Sequence, residues 1–284
     1  MLAVKFVDLY KELGVPRAAA AGGTLCCWLG AGAEAVEPLR RRSAVLLLPG
    51  GGYGHLSARE EEPVALRFLA RGWAAFSLRY SVAPARHPTQ LREAAMAMRY
   101  LRDSAASLGI GRVAVVGFSA GGHLAGMLGT LFDSALVRDL APARQLRPDA
   151  LGLCYPVTAP PEGATGAGAA ESFRNLTGGT AEEAAALRLQ TLVRPDMPPV
   201  YLWHTRDDES VPVGGSLRLA CALDAAGVRF AMRIYHHGRH GISLANAQVY
   251  PSGQVPAHSP QIEDWPEEML LFFAECGMET GETE

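Results

Sequence analysis

The chain has 284 residues, 49% of them hydrophobic, and a formal net charge of −3. That length suits one α/β unit with a sizeable core. The two signs of charge are interspersed, which excludes the one-signed field that draws nucleic acid or an anionic membrane surface, and no run is long and apolar enough to span a bilayer.

The N-terminal stretch MLAVKFVDLYKELGV has the pattern of a short amphipathic helix, and Asp8, Lys11 and Glu12 break the apolar run that a signal peptide requires. The five cysteines, Cys26, Cys27, Cys154, Cys221 and Cys276, are odd in number and form no CxxC pair. Most lie in apolar runs, as buried free thiols do. Together these features predict a cytoplasmic protein. Thr24 to Leu29 reads as a strand that could pair at a sheet edge, so residues 1–43 are expected to form an edge segment of a single domain covering 1–284. Arg40, Arg41 and Arg42 read as a solvated turn before the next strand.

Ala44 to Leu48 is apolar throughout, as a strand buried on both faces of a parallel sheet must be. It runs into Pro49-Gly50-Gly51-Gly52-Tyr53. Three consecutive glycines cost backbone entropy, and a structural requirement should justify them. A tetrahedral oxyanion needs two or more backbone N–H groups aimed at one point, which a glycine loop can supply through Gly51 and Gly52. A phosphate-cradling loop is poorly supported, since neither GxxxxGK[ST] nor a complete GxGxxG is present. Downstream, a helix is predicted from about Arg59 to Arg71, a strand over Ala74 to Leu78, and a helix from about Gln90 to Ser107.

Val113 to Val116 is the next buried strand, and it enters Gly117-Phe118-Ser119-Ala120-Gly121, a GxSxG sequence followed by a helix. In that strand–turn–helix context the motif is a nucleophile elbow: a sharp turn lifts the Ser119 hydroxyl above the carboxyl edge of the sheet. The N–H of Ala120 should join those of Gly51 and Gly52. A tight turn with an incidental serine is the plainer reading, but such a turn does not require serine. His123, one helical turn further on, is expected to be a hydrogen-bonded core histidine.

After the strand Ala150 to Cys154, residues 158–190 are rich in Ala, Gly, Pro and Glu and are expected to form a lid or pocket wall. The sequon Asn175-Leu176-Thr177 within it reads as chance. The strand Val200 to Trp203 precedes His204-Thr205-Arg206-Asp207-Asp208-Glu209-Ser210-Val211. Asp208 stands in a D-x-x-V pattern with Val211, whereas Asp207 is one residue out of register; Asp207 and Glu209 read as solvated carboxylates. Phe230 to Tyr235 is the last strand, followed by His236-His237-Gly238-Arg239-His240-Gly241 and a final helix from about Pro266 to Glu275. Strands alternating with helices predict a mainly parallel sheet with helices on both faces, the α/β-hydrolase fold class. The order Ser119, Asp208, His240 is that fold's nucleophile, acid, base order. His236 and His237 read as rim residues, and the three histidines do not make up a closed metal-ligand set, so no metal is expected.

The segments PGGGY (Pro49–Tyr53), REEEPVALRF (Arg59–Phe68), LRYSVAP (Leu78–Pro84), GFSAGGHLA (Gly117–Ala125), RPDALGLCYPV (Arg147–Val157), WHTRDDESVPV (Trp203–Val213) and GRHGISLA (Gly238–Ala245) resemble the acetylxylan-esterase-like, BD-FAE-type subgroup of bacterial α/β hydrolases. The resemblance implies hydrolysis of acetyl esters on xylose-based or related small carbohydrates, without a cofactor. It departs near residues 159–172, which are more Ala/Gly-rich. Many other esterases of this fold carry histidine at the position of Pro49. A peptidase or aryl-amide hydrolase using the same three residues is the main alternative, and a non-catalytic binding protein a weaker one. The expected partner is a small ester, such as an acetylated oligosaccharide; the sequence leaves the oligomeric state open, with a homodimer one option.

Overall fold

The computed structural model describes residues 3–17, 22–29, 41–161, 165–251, 253–256 and 259–278. Eight strands form one sheet: β1 (Ala3–Asp8), β2 (Thr24–Leu29), β3 (Arg42–Leu48), β4 (Ala74–Arg79), β5 (Ile110–Phe118), β6 (Ala150–Cys154), β7 (Val200–Thr205) and β8 (Phe230–Tyr235). Their order is β1-β2-β4-β3-β5-β6-β7-β8. β2 is antiparallel to both β1 and β4, and every pairing from β4 to β8 is parallel.

The unbroken apolar runs are explained by the two cores. Alternate side chains of one strand point to opposite faces. On β3, β5 and β7, Leu46, Leu48, Val113, Val115 and Leu202 enter one core. Their neighbours Val45, Leu47, Ala114, Val116, Tyr201 and Trp203 enter the other. The helices Thr89–Asp103 and Ala120–Leu131 bury side chains in the first core, and Glu62–Ala70 and Trp265–Glu275 in the second. Neither face of the central strands meets water, so no polar alternation survives in their sequence.

Three expectations need correction. Ala3–Asp8 is a strand, and the helix after it is only the five residues Leu9–Leu13, capped by Asp8. Six residues of pairing with β2 hold Ala3–Asp8 extended, a long-range gain that local periodicity does not report. The helix expected from Arg59 starts later: Ala58–Glu60 is a 3-10 turn, and the α-helix begins at Glu62 with Pro63 in its first turn. The helix expected over 90–107 divides into Thr89–Asp103 and Ala105–Leu108. Arg42 opens β3, while Arg40 lies outside the described residues. Cys26, Cys27 and Cys154 are buried free thiols, whereas Cys221 is exposed. Among the described residues no helix is long and apolar enough to cross a membrane.

The register aligns the carboxyl ends of the central strands. Leu48 pairs with Gly117, Phe118 with Cys154, Cys154 with Trp203, and Thr205 with Tyr235. The loops carrying the glycines, Ser119, Asp208 and His240 therefore leave the sheet along one edge, and the helices Ala167–Thr177, Ala181–Ala186 and Leu189–Leu192 belong to the connection between β6 and β7.

Candidate active site

Ser119 sits between β5 and the helix Ala120–Leu131, at φ 53° and ψ −117°. A non-glycine residue in this region is strained, and the surroundings hold it there. Its N–H donates to the Cys154 carbonyl at 3.0 Å, and its own carbonyl accepts from the N–H of Val157 at 3.0 Å and of His123 at 3.1 Å. The flanking glycines are steric requirements. A Cβ on Gly117 would collide with the Gly121 carbonyl, and one on Gly121 with the Leu48 carbonyl.

From Ser119 a line of hydrogen bonds runs inward. Ser119 Oγ lies 2.7 Å from His240 Nε2, and His240 Nδ1 lies 2.6 Å from Asp208 Oδ2. Asp208 Oδ1 accepts from the N–H of Ser210 at 3.0 Å and of Val211 at 2.9 Å. This explains the D-x-x-V spacing: the turn closes on its own carboxylate. With Nδ1–H directed at Asp208, His240 presents its Nε2 lone pair to the serine hydroxyl. Tyr155 packs edge-on against the imidazole, with ring centroids 5.3 Å apart.

His204, to which the sequence reading assigned no role, completes the acid's environment. Its Nε2 lies 3.2 Å from Asp208 Oδ2 and 2.9 Å from the Val211 carbonyl, and its Nδ1 lies 2.8 Å from Ser216 Oγ. Both neighbours of Nε2 are acceptors, so that nitrogen carries a proton. Burial alone would raise the Asp208 carboxyl, but hydrogen bonds from His204 and His240 and from the Val211 N–H bring its pKa down to about 2. Asp208 is ionised at neutral pH and buried, at 4% exposure.

Asp207 is exposed, as expected of a solvated carboxylate, and it is also a loop tie. Its Oδ1 accepts from the Gly238 N–H at 2.7 Å, and its Oδ2 lies 3.1 Å from His237 Nδ1. It thus pins the start of the loop that ends in His240. Glu209 is exposed, and the rings of His236 and His237 lie tilted at 49° with centroids 4.0 Å apart. Among the described residues no group of three His, Cys, Asp or Glu side chains could hold a metal ion.

The glycine loop faces Ser119 from the end of β3. Gly51 (φ 120°) and Gly52 (φ 62°) lie in backbone regions that favour glycine. Their N–H groups meet no acceptor among the described residues, and Ala120 is the first residue of its helix, so its N–H has no partner within it. The loop is held from behind by side chains remote in sequence. Gly50 N–H donates to Glu60 Oε2 at 2.7 Å, Tyr80 OH to the Pro49 carbonyl at 2.5 Å, and Asn175 Nδ2 to the Gly52 carbonyl at 2.9 Å. The sequon asparagine therefore braces the loop. Glu60 is itself buried and accepts from Tyr155 OH at 2.7 Å, while the Ser243 N–H donates to the same tyrosine oxygen at 3.0 Å. Burial pushes the Glu60 carboxyl up, against the hydrogen bonds from Tyr155 and Gly50. The residue hides in the run Glu60-Glu61-Glu62, where only the 3-10 turn distinguishes it from its neighbours.

His123 lies away from this line. Tyr53 OH lies 2.9 Å from its Nδ1, and its Nε2 bonds the Leu187 carbonyl at 2.8 Å. Burial lowers its pKa to about 4, leaving a neutral ring that ties the glycine loop to the β6–β7 connection.

A cavity of about 230 Å³ opens over Ser119 and His240. The glycine loop and Glu60 form one wall; Gly168, Glu171 and Ser172 of the helix Ala167–Thr177 and Ser210 form the other.

The chain as a whole is similar to known proteins. The acetyl ester-xyloside bifunctional hydrolase of Caldicellulosiruptor lactoaceticus is similar in structure, with a TM-score of 0.80 and 33% identity over 96% of this chain and 97% of that one. A carboxylesterase of Lactobacillus plantarum shares the fold, with a TM-score of 0.81 and 24% identity over 99% of this chain and 100% of that one. In sequence, the chain is 34% identical over 222 residues to endo-1,4-beta-xylanase B of Butyrivibrio fibrisolvens, and 28% identical over 207 residues to an acetylxylan esterase of Xylanibacter ruminicola. These alignments cover 74% and 71% of this chain but 34% and 41% of those longer proteins. The BD-FAE family matches residues 38–223, a segment that includes the glycine loop, Ser119 and Asp208 and stops short of His240. The chain belongs to the BD-FAE family of α/β hydrolases.

Proposed function

We propose that the chain is a serine ester hydrolase that removes acetyl groups from small carbohydrate esters, with acetylated xylo-oligosaccharides as the substrate class. The observation that carries this reading is the unbroken line from Ser119 Oγ through His240 to the ionised Asp208, opening beneath backbone N–H groups that lack acceptors among the described residues. His240 Nε2 takes the serine proton as Oγ attacks the ester carbonyl carbon. The N–H groups of Gly51, Gly52 and Ala120 receive the negative charge that develops on the carbonyl oxygen. His240 then gives its proton to the departing sugar hydroxyl oxygen, leaving an acetyl ester on Ser119. Water, deprotonated by the same imidazole, releases acetate. Asp208 holds the imidazole tautomer and stabilises the imidazolium in both steps.

The cavity lining supports a polar substrate with a small acyl group. Its side chains are those of His55, Ser57, Arg59, Glu60, Ser119, Glu171, Ser172, Ser210 and His240, with glycines between them and no large apolar residue among those described. A long acyl chain would gain little there, because burying it depends on apolar walls. Hydroxyl-rich sugar rings would find donors and acceptors. The names of the similar proteins point the same way. The test is deacetylation of a panel of acetylated xylo-oligosaccharides alongside p-nitrophenyl acetate and butyrate and an aminoacyl arylamide. Acetyl should exceed butyryl in kcat/KM by roughly tenfold or more, within the 1–3 kcal/mol that a poorly fitting methylene costs. Short oligosaccharides should exceed polymeric xylan at equal acetyl concentration, because the wall from the β6–β7 connection narrows the entrance. Faster turnover of the arylamide than of any acetyl ester would replace this reading with amide hydrolysis.

A further inference from the structure

A second cavity, of about 180 Å³, lies behind the loop that carries Asp208. The two cavities share walls but not residues. Ser210 and Gly168 line the first, Val211 and Ala169 the second. The N–H groups of Gly168 and Ala169 donate to the Ser210 carbonyl at 3.1 and 3.3 Å, closing the partition between them.

This cavity is built around the start of the twelve-residue helix Gly214–Ala225, which no side chain caps. Gly214 and Gly215 of its first turn line the cavity, and the Gly214 N–H has no acceptor among the described residues. The end of a helix with free N–H groups carries a partial positive charge. Arg218, one turn on, lines the same cavity, and its Nη1 would lie 3.5 Å from a Cβ placed on Gly214. The guanidinium is therefore folded over the helix start, and it forms no ion pair or hydrogen bond with any described residue. The independent observation is Thr158. It is 3% exposed and lines the cavity, yet its hydroxyl has no hydrogen-bond partner among the described residues. The residue is buried but its hydroxyl is open to the cavity, so its partner must come from what fills that space. Gly215 makes room for it, since a Cβ there would collide with Thr158 Oγ1. Apart from Thr165, the remaining lining is short and apolar, from Pro161 and Pro212 among others.

A guanidinium, a free helix N–H and an unused hydroxyl converge on one apolar-walled space, and we propose that it binds a carboxylate bearing a small apolar or sugar body. The charged end lies against Arg218, the Gly214 N–H and Thr158 Oγ1, and the body against the prolines. Two sources supply this chemistry: a free short-chain carboxylate such as the acetate that ester hydrolysis releases, or a uronate group on an oligosaccharide. The site also has a route to the acid. Ser216, in the same first turn, bonds His204, and His204 reaches Asp208 Oδ2.

Isothermal titration of the intact protein with acetate, propionate and glucuronate, and with acetamide and glucose as neutral controls, tests the proposal without reference to turnover. At least one carboxylate should bind saturably and its neutral control should not. Arg218→Gln should weaken binding roughly tenfold or more, and Thr158→Val roughly three- to tenfold, as losses of hydrogen bonds to a charged group. Arg59→Gln, in the first cavity, should leave it unchanged. Preference for acetate or propionate identifies a free acid, and preference for glucuronate a substrate substituent. Absence of saturable binding by all three carboxylates overturns the proposal. So does binding lost in Arg59→Gln and retained in Arg218→Gln, which would place the carboxylate beside Ser119. Thermal melts of each variant separate loss of the site from loss of fold.

Discussion

The two sides of the candidate active site are held by different means. On one side Ser119, His240, Asp208 and His204 are joined through side chains. On the other, the N–H groups of Gly51 and Gly52 are backbone atoms with no side chain of their own, and Glu60, Tyr80 and Asn175 position them from outside. In the proposed reaction the first side performs proton transfer, which needs titratable groups at hydrogen-bond distance. The second, on the same proposal, supplies fixed dipoles, which need only a rigid backbone. A substitution on the first side removes a chemical step, whereas one on the second shifts a donor by a fraction of an ångström. The losses should differ accordingly.

Ser119→Ala gives the largest expected effect. Ester hydrolysis should fall by several orders of magnitude, to the roughly 10³–10⁴-fold over water that binding and oxyanion donors alone sustain. Near-normal turnover of p-nitrophenyl acetate would remove the nucleophile from the proposal. Asp208→Asn comes next, with kcat reduced by roughly 10³–10⁴-fold through the wrong imidazole tautomer. Asp207→Asn, which disturbs only the loop tie to Gly238 and His237, should cost about tenfold or less, one hydrogen bond's worth. A larger loss at Asp207 than at Asp208 would reverse the assignment of the acid. Asp208 also sets an acid limit on stability. Its carboxyl is held at about 2, below the ordinary 3.8. The stability it contributes is complete above pH 3.8 or so and is lost as pH falls through about 2. Chemical denaturation between pH 2 and 6 should show this limb flattened in Asp208→Asn.

On the glycine-loop side the effects should be smaller. Glu60→Gln should fold and lower kcat about tenfold, since one amide cannot replace both acceptor contacts, to the Gly50 N–H and the Tyr155 hydroxyl. The burial-raised carboxyl of Glu60 gives a distinct pH signature. Because its folded pKa lies above the unfolded one, it costs stability as pH rises through that interval, and the glutamine variant should lose this slope. An unchanged stability–pH profile would show that the carboxyl ionises freely. Asn175→Ala removes a single half-buried bond to the Gly52 carbonyl. It should reduce kcat by about threefold, with KM for acetyl esters nearly unchanged; a loss as large as that of Asp208→Asn would mean that the two sides are not separable.

Sequence patterns point to Ser119, Asp208 and His240, which the fold brings together, because the proposed chemistry depends on residue type. GxSxG between a buried strand and a helix, D-x-x-V after a late strand and a His-Gly pair after the last one are local patterns with local causes: a steric turn, and a carboxylate closing on its own N–H groups. The central strands were legible for the same reason, since burial on both faces permits only apolar residues. The braces were not legible. Glu60 is one of three successive glutamates in a stretch that reads as helix, Asn175 belongs to a sequon that reads as chance, Asp207 reads as a solvated carboxylate, and nothing local gives His204 a role. Each acts on a partner that is distant in sequence or set by how two loops meet: Glu60 on Tyr155, Asn175 on Gly52, Asp207 on Gly238. β1 escaped the same way, since only its pairing with β2 holds Ala3–Asp8 extended. What the sequence by itself determined was the fold class and the residue types able to do the chemistry, because turn sterics and strand burial act between neighbours. What only the tertiary structure decided was which polar groups brace which backbone, because a hydrogen bond takes its partner from the three-dimensional packing and carries no periodicity along the chain.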